Sequence, residues 1–370
     1  MQSRIIFALW LFLFCLISTL AVTQVYKVTD LGPLTPTAIN NLGQVAGNLN
    51  GHAFIWTKRG SLDLGILPGG TFSSAAAIND LAVVSGTADG PGTVILPYPP
   101  NQECSDLTQP FVWTPKKGMQ GLGTVGGNWD GGYWCDVGFY ATDINVRGDV
   151  VGYTGLGSYS FAMLWTSADG MTLFGDTWPI TAAYGISDTG QIVGQNADLD
   201  LFSHGWGHAT SWVSGVATDL GTLGGGPDVV EYSSAANGVN DLGQVVGWSD
   251  TVPDFSNGPI HAVRWTESGE ILDLGTLPGD THSVASNINL LGQVIGSSGN
   301  TLGFQGDEIT VTGRPFIWSL SGGMQDLNTQ ISAHSGWVLS SATGINIWGQ
   351  IVGSGTRHGK PHGFLLTPKF

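Results

Sequence analysis

The phrase Ala235-Ala-Asn-Gly-Val-Asn240, the turn Asp241-Leu-Gly243 and the strand Gln244-Val-Val-Gly247 recur along the chain in seven copies. After a loop, a third strand follows, here His261-Ala-Val-Arg-Trp265, and then a fourth, Ile271-Leu-Asp-Leu-Gly275. Repetition of this kind constrains the fold more than composition does, because one unit cannot bury its apolar face alone and must stack on the next.

The copies align on Ile39-Asn40, Ile78-Asn79, Ile144-Asn145, Ile186-Ser187, Val239-Asn240, Ile288-Asn289 and Ile345-Asn346. A Gly follows three residues later in all but the second, which has Ala82. Asn opens a turn by bonding its own backbone, and Gly supplies the positive φ of a tight hairpin. The second strand always ends in Gly: Gly47, Gly86, Gly152, Gly194, Gly247, Gly296 and Gly353. The third carries Trp56, Trp113, Trp165, Trp212, Trp265 and Trp318, with Leu366 in the last copy. One large residue per unit at a fixed internal position is expected to fill the space between neighbouring sheets. His52, His208, His261 and His362 open the third strand in four copies and are expected to be partly buried and hydrogen-bonded. Equivalent positions of different repeats do not converge on one metal.

The fourth strand is absent from the seventh copy, where the chain reaches Pro368-Lys369-Phe370. The missing piece stands at the other end: Tyr26-Lys-Val-Thr-Asp30-Leu31-Gly32 is a fourth strand with no repeat before it. Four-stranded units in a ring, one of them split between the two ends of the chain, describe an all-β, seven-bladed β-propeller of antiparallel blades. The N-terminal strand closes it beside 363–367. The repeats start near 38, 77, 141, 183, 235, 285 and 342, and one propeller spans 24–370. Charged residues are only 11% of the chain and Gly number 57, which suits turns and strand edges better than long amphipathic helices.

Residues 1–23 read as a secretory signal: Arg4, an apolar run over 5–20, and small residues around Ala21. That predicts an extracellular or cell-surface protein, or a periplasmic one, without membrane insertion after cleavage. A net charge of −16 excludes nucleic acid, whose phosphates need clustered Lys and Arg.

These residues resemble the HAF extracellular repeat: His52-Ala53-Phe54, the Ile-Asn…Gly-Gln-Val-Val-Gly phrases and Asp-Leu-Gly-Thr-Leu-Gly-Gly. The resemblance covers nearly all of the chain after residue 23. It implies a bacterial extracellular repeat protein with no established activity and no catalytic residues to carry over. Phe161-Ala-Met163 and Arg314-Pro-Phe316 depart from His-Ala-Phe.

In such a meander the 1–2 and 3–4 turns share one face, and the 2–3 loops and crossovers share the other. The second face holds the insertions, at 87–109, 124–140, 195–207, 248–260, 297–313 and 328–341, and loops on a rigid scaffold are where binding resides. Trp129, Tyr133, Trp134, Trp178, Trp206, Trp248 and Trp337 map there. They are candidate ligand-binding residues for a glycan or a protein partner, with pinning of the loops as the structural alternative. Cys104 and Cys135, the Cys left after residue 23, are expected to form a disulfide. Asn196, Asp198 and Asp200 begin like a calcium loop but lack its Gly and its twelfth-position acid. No cofactor is otherwise implied. The leading expectation is a non-catalytic binding module. The alternative is a carbohydrate-active enzyme with acidic residues on the same face or in the central channel, since two such acids need share no sequence spacing.

Overall fold

The computed structural model describes residues 26–90, 94–95, 103–104, 108–124, 137–156, 159–174, 180–197, 207–224, 232–252, 258–266, 268–305 and 308–369. It is an all-β ring of seven four-stranded antiparallel blades, as the repeat predicts. Blade 1 comprises Thr35–Ile39, Val45–Leu49, His52–Thr57 and Gly60–Asp63, counted from the channel outward. The inner strands of blades 2 to 6 are Ser73–Ile78, Val137–Ile144, Ile180–Ile186, Ser234–Val239 and His282–Ile288. Blade 7 has its inner strand in two pieces, Trp337–Leu339 and Gly344–Ile345, both paired to Ile351–Arg357.

The ring closes through the N-terminal strand as expected, the paired segment of the last strand being 364–368. Tyr26–Asp30 pairs antiparallel with the last strand, Tyr26 opposite Pro368 and Asp30 opposite Phe364. Tyr26 and Leu31 are buried, and Val28 is partly buried against the same core. Covering an apolar side chain of this size is worth about 1.5–3 kcal/mol.

The Gly ending each second strand has a steric cause. In blades 1 to 6 the inner strand carries a bulge opposite this Gly, as where Ala236 pairs Gly247 and the next pair is Gly238 with Val246. The bulge presses a carbonyl against the Gly. A Cβ at Gly247 would stand 1.9 Å from the Ala235 oxygen, and at the seven equivalent glycines the approach is 1.8–2.5 Å. Nothing larger than Gly fits. Bulged residues also reach the following blade, the Thr142 hydroxyl donating to the Ala183 carbonyl and the Asn237 amide to Ala285, and in blade 7 the Thr343 hydroxyl, between the two pieces of the inner strand, donates to Pro36.

The strand Trp residues fill the interfaces as expected. Trp113, Trp212, Trp265 and Trp318 are buried, and Trp265 packs with Val193 and Ala209 of the preceding blade. Each residue before the Trp turns the other way, so that Ile55 packs among blade 2 residues and Ile317 among blade 7 residues. The segment 297–313, read as a loop insertion, is mostly a long hairpin: Val294–Gln305 pairs with Glu308–Ser319. Among the described residues, no helix is long and apolar enough to cross a membrane.

Candidate interaction face at the channel mouth

On the loop face, Trp129, Tyr133, Trp134, Trp178 and Trp206 lie outside the described residues, as do Cys135, Asp198 and Asp200. Cys104 pairs with Val94 in a two-stranded ribbon. Trp248 is corrected to a core residue. The second strand of blade 5 runs on to Asp250, and its pleat turns the Trp248 ring inward among Ala235, Ile260 and Val284, 2% exposed. Trp337 is partly buried and meets Phe364 and His362 edge to face, continuing the inner strand of blade 7. The Asn196 side-chain oxygen accepts from the Thr181 hydroxyl at 2.8 Å. Among the described residues, no group of three His, Cys, Asp or Glu is placed to hold a metal ion.

The His residues have partners that the single phrase does not reveal. His52, His208, His261 and His362 each place Nδ1 at 2.7–2.9 Å from Asp63, Asp219, Asp273 and Asp30 of the adjoining fourth strand. Blade 6 replaces the His with Arg314, paired to Asp326 at 3.2 Å. Blades 2 and 3 lose both members together, with Gln109 and Gly121 in one and Phe161 and Leu173 in the other. That joint gain and loss is the sequence signal for the pair.

On the opposite face, the 1–2 turns converge on the channel, a cavity of about 350 Å³ to which all seven inner strands contribute. The turn-opening Asn residues link blade to blade. Five of the six side-chain amides donate to the next Asn carbonyl, Asn40 to Asn79, Asn79 to Asn145, Asn240 to Asn289, Asn289 to Asn346, and Asn346 back to Asn40, all at 2.9–3.0 Å, while the Asn145 amide donates to Asp149. Ser187 has no amide with which to continue the series, and carboxylates bind the blades at that sector. Ile186 N donates to Asp143, Val146 N to Asp188, and Asp188 N to Asp241. Across the ring, Asn41 N donates to Asp80 at 2.8 Å.

Two of these acids, Asp143 and Asp188, are perturbed. Asp143 lines the channel in a partly buried position; desolvation is the largest influence on its carboxyl and pushes the pKa up to about 7 against the backbone N–H bonds from Ile186 and Ile144. Asp188 is also raised, first by burial and then by the charges of Asp241 and Asp80.

Around the mouth, the turn tips two residues after each Asn form a contiguous apolar arc. Leu242, Leu291, Trp348, Leu42 and Leu81 belong to blades 5, 6, 7, 1 and 2, and are 55–73% exposed. Leu290, 40% exposed, widens the arc. The Trp348 indole N–H donates to the Asn41 carbonyl at 3.0 Å, which lays the ring over the neighbouring turn. Blades 3 and 4 carry Arg147 and Thr189 at the same position and end the arc. Sequence reasoning passed over this set, although an apolar residue at a hairpin tip has no sheet neighbour to bury it.

No family model matches the sequence, and no curated protein matches it. Among solved structures, the chain is similar to virginiamycin B lyase from Staphylococcus aureus, at 11% identity over 92% of this chain and 99% of that one, with a TM-score of 0.53. It is also similar to an oligogalacturonate lyase in complex with manganese, at 11% identity over 94% of each chain, with a TM-score of 0.52. At these identities the likeness is one of fold alone.

Proposed function

We propose that the protein is an exported, non-catalytic interaction module of the HAF-repeat type that docks a protein partner on the channel-mouth face. The observation that carries this reading is the apolar arc: large side chains on five adjacent blades, exposed together on one rim. Single exposed apolar residues are ordinary, but a contiguous set marks an interaction surface. Trp348, the aromatic member, is the natural anchor. Export rests on residues 1–23.

The channel acids support binding over chemistry, because Asp80, Asp143, Asp188 and Asp241 all accept backbone N–H groups that fasten the ring. One observation favours a second reading, a carbohydrate-active enzyme working from the channel. Asp143, its pKa pushed up to about 7 by burial, lines the channel with Asp188, and carboxyl groups tuned by their surroundings are how glycosidases divide acid and base roles.

Peptide display against the folded protein separates the two. Selected binders should compete with one another and lose affinity at least tenfold against Trp348→Asp combined with Leu42→Asp. Binders indifferent to both substitutions would remove the arc as the docking site. Polysaccharide turnover abolished by Asp143→Asn would establish the enzyme reading instead.

A further inference from the structure

A cleft of about 1000 Å³ opens between blades 4 and 5, outward of the channel. Its origin is legible in the repeat. The residue before the strand Trp is Ile55, Val112, Leu164, Arg264, Ile317 and Leu365 in six blades, and Ser211 in blade 4. Ile55, Ile317 and Leu365 are buried against the following blade. At Ser211 that filling is missing, and the hydroxyl instead meets the Gln191 side-chain amide at 2.9 Å. The omitted side chain leaves the interface open.

The walls alternate in chemistry. Gln191, Ser211 and Thr218 present amide and hydroxyl groups from blade 4, while Val213 and Ile271 present apolar surface. Trp265, wholly buried, lines the inner end, and its indole N–H has no hydrogen-bond partner. A buried donor in that state favours any acceptor brought within reach. The two carboxylates at the cleft are engaged, Asp219 with His208 and the Gly221 N–H, Asp241 with the Asp188 N–H, and no Lys or Arg is among the lining residues.

We propose that this cleft binds a neutral saccharide. A sugar ring offers hydroxyl edges to the amide and hydroxyl wall and C–H faces to Val213 and Ile271, and carries no charge that the site would have to balance. The volume lies at the upper end of ligand sites, about 300–1,000 Å³. Leu242 is shared between the rim of this cleft and the apolar arc, but Ser211, Val213, Trp265 and Ile271, which carry the saccharide proposal, lie outside the arc, so each proposal has its own variant to test it.

The test uses the full chain and a panel of neutral probes, namely xylo-, cello-, manno- and malto-oligosaccharides, followed by calorimetric titration of the best binder. Ser211→Leu, which restores the residue type of blade 3, should weaken binding at least tenfold without lowering the melting temperature. Leu320→Asp, at an exposed 3–4 turn of blade 6 away from the cleft, should leave binding unchanged. In the wild-type protein, the Trp265 indole N–H resonance should shift on titration, a readout that does not depend on the variant folding. Failure of every neutral probe at millimolar concentration, binding indifferent to Ser211→Leu, or an unmoved Trp265 resonance during saturable binding would each overturn the assignment.

Discussion

His362 Nδ1 sits 2.8 Å from Asp30 Oδ1, a contact between residues 332 positions apart that clasps the closing strand to the last blade. Arg357 and the Gly32 N–H bond the same carboxylate. Burial alone would raise the Asp30 carboxyl, but the Gly32 N–H, His362 and Arg357 outweigh it and hold the pKa below the ordinary carboxylate value. Blades 1 and 5 repeat the arrangement with Asp63 and Asp273, which are lowered in the same way.

Acid should therefore loosen the clasp. A depressed folded pKa gives stability that is present above the unfolded value, about 3.9, and lost as pH falls through the folded one. Melting temperature should drop below about pH 5, and Asp30→Asn should flatten part of that drop while costing about 1.5–3 kcal/mol at neutral pH through lost charge-assisted bonds. Thermal melts of both proteins from pH 7 to pH 3 check this. Parallel curves would show that Asp30 contributes no pH-dependent stability.

Asp143 works in the opposite direction. Its folded pKa of about 7 lies above the unfolded value, so the folded state holds the proton more tightly and stability declines as pH rises from about 4 to 7. Asp143→Asn should remove that decline and leave the acid-side loss in place. An unchanged slope across the window would mean that the channel solvates Asp143 as well as water does.

Two kinds of Gly should respond differently to Ala. At Gly148, φ is +85° with nothing within 4 Å of a Cβ, so Gly148→Ala should cost only the left-handed backbone term, about 1–2 kcal/mol. Ala82 already adopts that conformation at φ 59°, and Ala82→Gly should stabilise by about 1 kcal/mol. Gly247→Ala must displace the Ala235 carbonyl and should cost about 3 kcal/mol. Urea unfolding of the three variants ranks them, and equal losses at Gly148 and Gly247 would contradict the bulge explanation.

The ring was readable because its signals are local. An Asn three residues before a Gly states a hairpin, and a fourth strand stranded before residue 33 states how the last blade is completed. What escaped were relations across strands. The His–Asp pairs depend on the register between third and fourth strands, and the second-strand Gly on a carbonyl that the facing bulge displaces. Trp248 was misplaced because the Gly at 247 looks like a strand end, whereas the strand continues three residues and the pleat carries the ring inside. The apolar arc was hidden for a different reason: Leu42, Leu81, Leu242 and Leu291 look like ordinary turn residues until the ring sets them side by side.

The most direct test of docking at the channel mouth places a photo-crosslinking residue at position 348 in the intact protein in its native setting. Position 59, on a 3–4 turn of the same face but off the arc, serves as control. A discrete protein adduct should form from position 348 and not from 59, and should disappear when Leu42→Asp and Leu291→Asp are added. No adduct from 348, or equal labelling from both positions, would contradict docking on the arc.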